Sequence, residues 1–270
     1  MSEQLIFGPP GCGKTYTLIN IVKDALKEGV APDKIGFVSF TRKSIAEARE
    51  RAGAELGLTA QDTPYFRTLH SMGFMWLGMR KDQIISVYDL KQIGLEMGLV
   101  FDNRQVYDDD GQMLLSAKEG NKYLTLIQRA KMRMITLEQE FNENGDYKMH
   151  WELLVKLNTV YHNYKNEMGK FDFTDMIEQM VMQDTGPNLN LLIVDEAQDL
   201  TPLQWEQVKV LARHAERVYY AGDDDQAIFR YTGVDVQKML NACSDKRILN
   251  QSYRTPRIIH DLSAELAQRI

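Results

Sequence analysis

Two groups of residues in this 270-residue chain have the types and spacing for phosphate chemistry. Gly8-Pro9-Pro10-Gly11-Cys12-Gly13-Lys14-Thr15 fits the pattern G-x-x-x-x-G-K-[ST]. In such a loop the glycines let backbone N–H groups curl around phosphate oxygens, and the helix that follows adds the positive end of its dipole. Lys14 is then the cation for the β- and γ-phosphates and the Thr15 hydroxyl a ligand for Mg²⁺, with Tyr16 closing the segment. Cys12 occupies an unconstrained position and reads as a small packed side chain. Far along the chain, the apolar run Leu191-Leu192-Ile193-Val194 ends in Asp195-Glu196. Asp195 would hold the metal, directly or through water. Glu196, free of the metal, would orient or deprotonate an attacking water. The pair predicts hydrolysis of ATP with Mg²⁺ rather than nucleotide binding alone.

Such a loop works only between a strand and a helix. Leu5-Ile6-Phe7 closed by Gly8 reads as the strand, and Thr17 to Leu26 has apolar residues at helical spacing. A second unit follows, with Ile35 to Phe40 as a buried strand and Lys43 to Leu56 as a helix. Asn190 to Val194 and Arg217 to Ala221 read as further strands, with a helix from Pro202 to His214 between them. Continuous apolar strands alternating with helices predict an α/β fold, a parallel sheet covered by helices on both faces. Residues 81–168 differ: Met and Leu recur at helical intervals without a strand-like run, which predicts an inserted, mainly helical subdomain. The α/β unit is thereby divided into 1–80 and 169–270. Met72, Met75 and Met79, with Phe74 and Trp76 beside them, read as helix core. Trp205 reads as packing behind a Thr201-Pro202 helix start, and Asp108 to Gly111 as a solvated turn.

Composition sets bounds on the partners. Hydrophobic residues make up 44% and charged residues 26% of the chain, values of a globular protein with a sizeable core. Lys plus Arg number 32 against 38 Asp plus Glu, a net charge of −6, so any nucleic-acid site must be a local groove. The two cysteines, Cys12 and Cys243, fit no metal-ligand spacing and no disulfide framework. With neither a signal-peptide core near the first residues nor an apolar run of membrane-spanning length, the expectation is a cytoplasmic protein without a membrane partner. The five histidines are scattered and predict no structural metal site.

Asp195-Glu196-Ala197-Gln198-Asp199 is followed by Gly222-Asp223-Asp224-Asp225-Gln226-Ala227-Ile228-Phe229 and by Asn250-Gln251-Ser252-Tyr253-Arg254. In order and spacing these segments resemble the UvrD/Rep-type superfamily 1 DNA helicases. Phe37 to Lys43 resembles motif Ia of that family, and Arg67-Thr68-Leu69-His70-Ser71 its motif Ib. Phe171 to Asp175 resembles the return from its inserted helical domain 1B. The resemblance implies a P-loop, RecA-like domain 1A interrupted by domain 1B. It implies that Gln226 senses the γ-phosphate, that Arg254 stabilises its charge, and that Phe229 and Tyr231 stack on bases. It implies further single-strand contacts from Phe40, Thr41, Arg42 and His70. The expected activity is ATP-dependent movement on single-stranded DNA or at a single-strand/duplex junction, 3′ to 5′, in DNA repair or replication. The alternative is an ATP-switched DNA- or protein-binding module that does not unwind. Because the sequence ends at Ile270, soon after motif IV, the second RecA-like domain is expected to lie outside this chain.

Overall fold

The computed structural model describes residues 2–9, 11–102, 118–223, 234 and 236–249. Its sheet is built from β1 (Ser2–Phe7), β2 (Ile35–Ser39), β3 (Phe66–Thr68), β4 (Leu189–Asp195), β5 (Ala215–Gly222) and β6 (Lys246–Ile248). The strands lie in the order β3-β2-β4-β5-β1-β6, and each pairing is parallel. All five residues of β2 are buried, as are all of β4 except Asn190. Such continuous apolar runs are what a parallel sheet with two covered faces requires.

Alternation along the strands separates two cores. Val38, Leu192, Val194, Val218 and Tyr220 point to one side, where they meet α3 (Leu69–Trp76), α8 (Phe173–Met182) and α9 (Pro202–Arg213). Phe37, Leu191, Ile193 and Ala221 point to the other, against α1 (Lys14–Lys27) and α2 (Arg42–Leu56). Met72 is fully buried on α3, and Trp205 packs against Tyr220 at 5.9 Å between ring centroids, as their spacing predicts. β3 and β6 are not evident from the sequence. Each is three residues long, too short for a periodic signal, and each exists through pairing with a longer neighbour.

The middle of the chain is helical: α4 (Val87–Met97), α5 (Glu119–Arg133), α6 (Leu137–Asn144) and α7 (Trp151–Met168), with α10 (Val236–Leu240) later on. α4 to α7 share a separate apolar core around Ile93, Tyr123, Ile127, Leu154 and Tyr161. Local signals set the helix ends. Ser86 with Asp89 and Thr136 with Gln139 form capping boxes, and Gly169 stops α7 in the left-handed conformation.

A buried ionic cluster joins this layer to the α/β unit. Lys165 of α7 donates to Asp172 at 2.6 Å and to Asp175 at 2.5 Å, the two residues that also cap α8. Lys131 of α5 reaches Asp175 at 3.1 Å and Glu178 at 2.9 Å. Gln128 and Tyr161 each donate to the Asp172 carboxylate. Burial alone would raise the Asp172 carboxyl, but Lys165 and Lys131 override it and hold it well below the usual carboxylate range.

Removing Lys165 leaves two buried carboxylates short of a cation. Lys165→Met should therefore cost about 3–5 kcal/mol at neutral pH, measured by urea unfolding. A carboxyl whose folded value lies below its unfolded one stabilises above the ordinary range, near pH 4, and loses that contribution on acidification. The gap between wild type and Lys165→Met should accordingly narrow at pH 3.

Candidate active site

Parallel strands place their carboxyl ends on one edge, and the phosphate-binding segment leaves β1 there. Gly11 (φ 72°) and Gly13 (φ 87°) adopt left-handed conformations that other residues enter only at a cost. Gly8 is required for a different reason: a Cβ there would lie 2.3 Å from the Leu249 carbonyl oxygen. Lys14 starts α1 and is nearly buried, its side chain 10% exposed. Its Nζ donates to the Gly8 carbonyl at 2.7 Å and the Pro9 carbonyl at 3.3 Å, and lies 3.8 Å from an Asp223 carboxylate oxygen. The ammonium is thus held by the loop and by the residue that follows β5. Thr15 and Tyr16 form the first turn of α1, with Tyr16 56% exposed beside the loop. Cys12 is buried, as packing requires.

β4 delivers the carboxylates to the same edge. Asp195 is buried at the strand end and accepts the Glu196 backbone N–H at 3.0 Å. Glu196 itself has left-handed backbone angles (φ 53°, ψ 41°), a strained state for a non-glycine residue that tends to mark functional sites. Burial first, and then the charge of Glu196, push the Asp195 carboxyl up to about 7, while Lys14 works against them. Asp199 is pushed up to about 7 by the same two causes, and its buried Oδ1 has no hydrogen-bond partner. Crowded, desolvated carboxylates suit a hard divalent cation. A hydroxyl on Thr15 and a carboxylate on Asp195 are the hard oxygen donors that Mg²⁺ takes alongside phosphate oxygens. The residues present therefore fit MgATP.

A second feature opens between α2, β3 and α3. A cleft of about 770 Å³ is lined by Arg42 and Arg49 of α2, Arg67 of β3, His70 and Phe74 of α3, and also by Lys81 and Phe173. Among the described residues that line it none is acidic. Burial, followed by the charge of Arg49, lowers the Arg67 guanidinium, and Arg42, Arg49, Arg67 and Lys81 all line the one cavity. His70 is 3% exposed and burial pushes it down to about 4, so it is neutral at pH 7; both of its ring nitrogens lack partners. Its ring meets Phe173 edge-on at 5.9 Å. Basic groups interleaved with aromatic rings form a surface suited to a polyanion carrying flat bases.

The family model of the UvrD/REP helicase N-terminal domain matches residues 1–247. The chain belongs to this helicase family. DNA helicase II of Haemophilus influenzae is 25% identical over 98% of the chain and 38% of its own length. ATP-dependent DNA helicase PcrA of Staphylococcus aureus is 27% identical over 97% of the chain and 37% of its own length. This UvrD/REP chain thus spans less than two fifths of the length of these relatives. A solved structure, VirB4 of Thermoanaerobacter pseudethanolicus, aligns with TM-score 0.32 and 15% identity over 98% of this chain and 80% of its own, too distant to bear on function. No helix among the described residues is long and apolar enough to cross a membrane.

Within this UvrD/REP domain the structure brings together Gly8, Pro9, Gly11, Gly13, Lys14, Asp195 and Glu196 at one sheet edge, with Arg42 and His70 at the neighbouring cleft. Phe40, a single-strand contact in the sequence expectation, follows directly on β2. It continues the all-buried β2 into the core beside Val38 and Leu69, is 5% exposed and does not line the cleft. Thr41 serves as the N-cap of α2, accepting the Ser44 N–H. Pro10, Gln226, Phe229, Tyr231 and Arg254 lie outside the described residues. Sequence reasoning passed over Arg49, Arg67 and Lys81 as site residues. Arg42 and Arg49, seven residues apart on one helix, share a face, and that spacing was the available signal.

The raised carboxyls carry a stability consequence. When the folded value lies above the unfolded one, near 4, ionisation costs stability as pH rises from there to about 7. In the nucleotide-free protein, Asp199→Asn should therefore melt higher relative to wild type at pH 8 than at pH 5, measured by thermal denaturation at both values.

Proposed function

We propose that this chain is the ATP-hydrolysing domain of a DNA helicase that moves 3′ to 5′ along single-stranded DNA. One observation carries the reading: the Lys14 loop and the Asp195-Glu196 turn share a sheet edge with the strands that open the basic, aromatic cleft. ATP chemistry and DNA contact would then be mounted on one rigid sheet. The backbone of Gly8 to Thr15 would cradle the phosphates and Lys14 would neutralise them. Thr15 and Asp195 would hold Mg²⁺, which lowers the charge that opposes attack on the γ-phosphate. Glu196 would take the proton of the attacking water. Gln226 and Arg254 would meet the γ-phosphate, and a second RecA-like domain beyond this chain would close over it.

The DNA path would run along Arg42, Arg49 and Arg67, past His70, with Thr41 at the α2 end and Phe229 and Tyr231 as the stacking shelf. Residues 81–168 would form the inserted domain 1B, between 1–80 and 169–270. Cationic contacts of this kind act on phosphate, which suits a motor that must grip any sequence. The names of the relatives, a DNA helicase and an ATP-dependent DNA helicase, support the same assignment.

The test is ATP turnover with and without single-stranded DNA, together with unwinding of duplexes tailed at either end. Lys14→Ala should abolish turnover. Arg67→Ala should weaken single-strand binding and reduce the slope of log affinity against log salt by about 0.7 for each phosphate that Arg67 neutralises. Tyr231→Ala should weaken single-strand binding by about 1–3 kcal/mol. Strict dependence on a 5′ tail would overturn the polarity. Turnover indifferent to DNA, with no unwinding, would favour an ATP-switched binding module.

A further inference from the structure

Gln198 has no part in the roles assigned above, yet its side chain is the most committed polar group at the site. It sits in the single turn Ala197–Asp199 that follows β4, and is 2% exposed. Its Nε2 donates to Glu196 Oε2 at 2.8 Å and to Asp199 Oδ2 at 3.1 Å. Its Oε1 accepts the backbone N–H of Asp223 at 3.1 Å. Only one orientation of the amide satisfies these partners, because the reverse would turn an oxygen on two carboxylates and an NH₂ on an N–H.

The neighbouring strand is shaped around this side chain. β5 ends at Gly222, where a Cβ would stand 2.6 Å from Gln198 Oε1 and 2.4 Å from Met239 Sδ. Any larger residue there would push the amide away. Gln198 thus spans the ends of β4 and β5, from the carboxylate of a residue on a strained turn to Asp223, which also faces Lys14. Three residues beyond Asp223 in sequence comes Gln226.

We propose that Gln198 is a positioning residue for hydrolysis, fixing the Glu196 carboxylate and tying it to the end of β5. The inference rests on the reading of Glu196 as the group that activates water. In that step the water oxygen bonds to the γ-phosphorus, its proton passes to Glu196, and the bond to the bridging oxygen breaks with its electron pair leaving on ADP. A carboxylate free to rotate by an ångström loses much of its effect on such a reaction, while nucleotide binding through Lys14 and the loop is untouched.

Two variants separate the ends of the strap. Gln198→Met keeps the volume and loses all three hydrogen bonds. Gln198→Glu keeps an acceptor for Asp223 and replaces the donor facing Glu196. The readouts are ATP turnover with single-stranded DNA and hydrogen exchange of the Asp223 amide. In both variants kcat should fall by about ten- to a hundredfold with KM for ATP within about twofold. Exchange at Asp223 should accelerate in Gln198→Met and stay slow in Gln198→Glu. A side chain that merely supported the fold would move KM along with kcat. Unchanged kcat in both variants, or unchanged exchange in Gln198→Met, overturns the inference and leaves the hydrolytic reading standing. Absence of turnover in the wild-type protein joined to its second RecA-like domain removes the hydrolytic reading, and this role with it.

Discussion

A strand paired in parallel cannot turn straight back on its neighbour, so each connection must cross the sheet through a helix and re-enter at the same end. In this chain β1 to β5 obey that constraint, and their carboxyl ends therefore open onto one edge. The loop of Lys14, the Asp195-Glu196 turn, Asp223, the start of α2 and the start of α3 are neighbours for this reason alone. Residues far apart in the chain, such as Lys14 and Asp223, meet because the strands before them are separated only by hydrogen bonds. The glycines at 8, 11 and 13 let the chain leave β1 in a tight curl, and Gly222 lets β5 end against a glutamine.

The same electrostatic physics is used with opposite sign in two places. Where α5, α7 and α8 meet, Lys165 and Lys131 compensate Asp172, Asp175 and Glu178, and the Asp172 carboxyl is held well below the usual carboxylate range. At the sheet edge, Asp195, Glu196 and Asp199 crowd together with the Gln198 amide as a shared donor to the last two, and burial pushes Asp195 and Asp199 up to about 7. The first arrangement is complete within the protein and fastens one layer to another. The second is a charge set that a bound cation would balance, which is the usual mark of a site rather than of a scaffold. The strained backbone at Glu196 belongs to the same pattern.

The cleft between α2, β3 and α3 answers the difficulty raised by a net charge of −6. Charge averaged over the chain says nothing about a local field, and here the three arginines Arg42, Arg49 and Arg67 converge without a carboxylate among the described residues lining the cleft. His70 adds an uncharged ring with two unpartnered nitrogens, held against Phe173 at the border of the helical layer. The ionic cluster of Asp172 lies immediately next in sequence. The proposed strand path and the joint between the layers are therefore built partly from adjoining residues.

Sequence by itself determined the phosphate loop, the Asp195-Glu196 pair, the long strands and the helical character of the middle, because each is written in local pattern: glycine spacing, apolar runs, helical periodicity. It also determined the caps, since Ser86, Thr136, Asp172 and Thr201 bond to residues three positions on. Tertiary structure alone decided the rest. β3 and β6 exist only as pairing partners, Arg49 and Arg67 become one surface only when α2 packs beside β3, and Phe40 is withdrawn into the core by the burial of β2. Gln198 is legible in sequence only as a member of the Asp195 to Asp199 segment, without a role of its own. Its role depends on β5 lying next to β4, and no local pattern specifies which strand will be the neighbour, because sheet order is settled by helix packing on both faces.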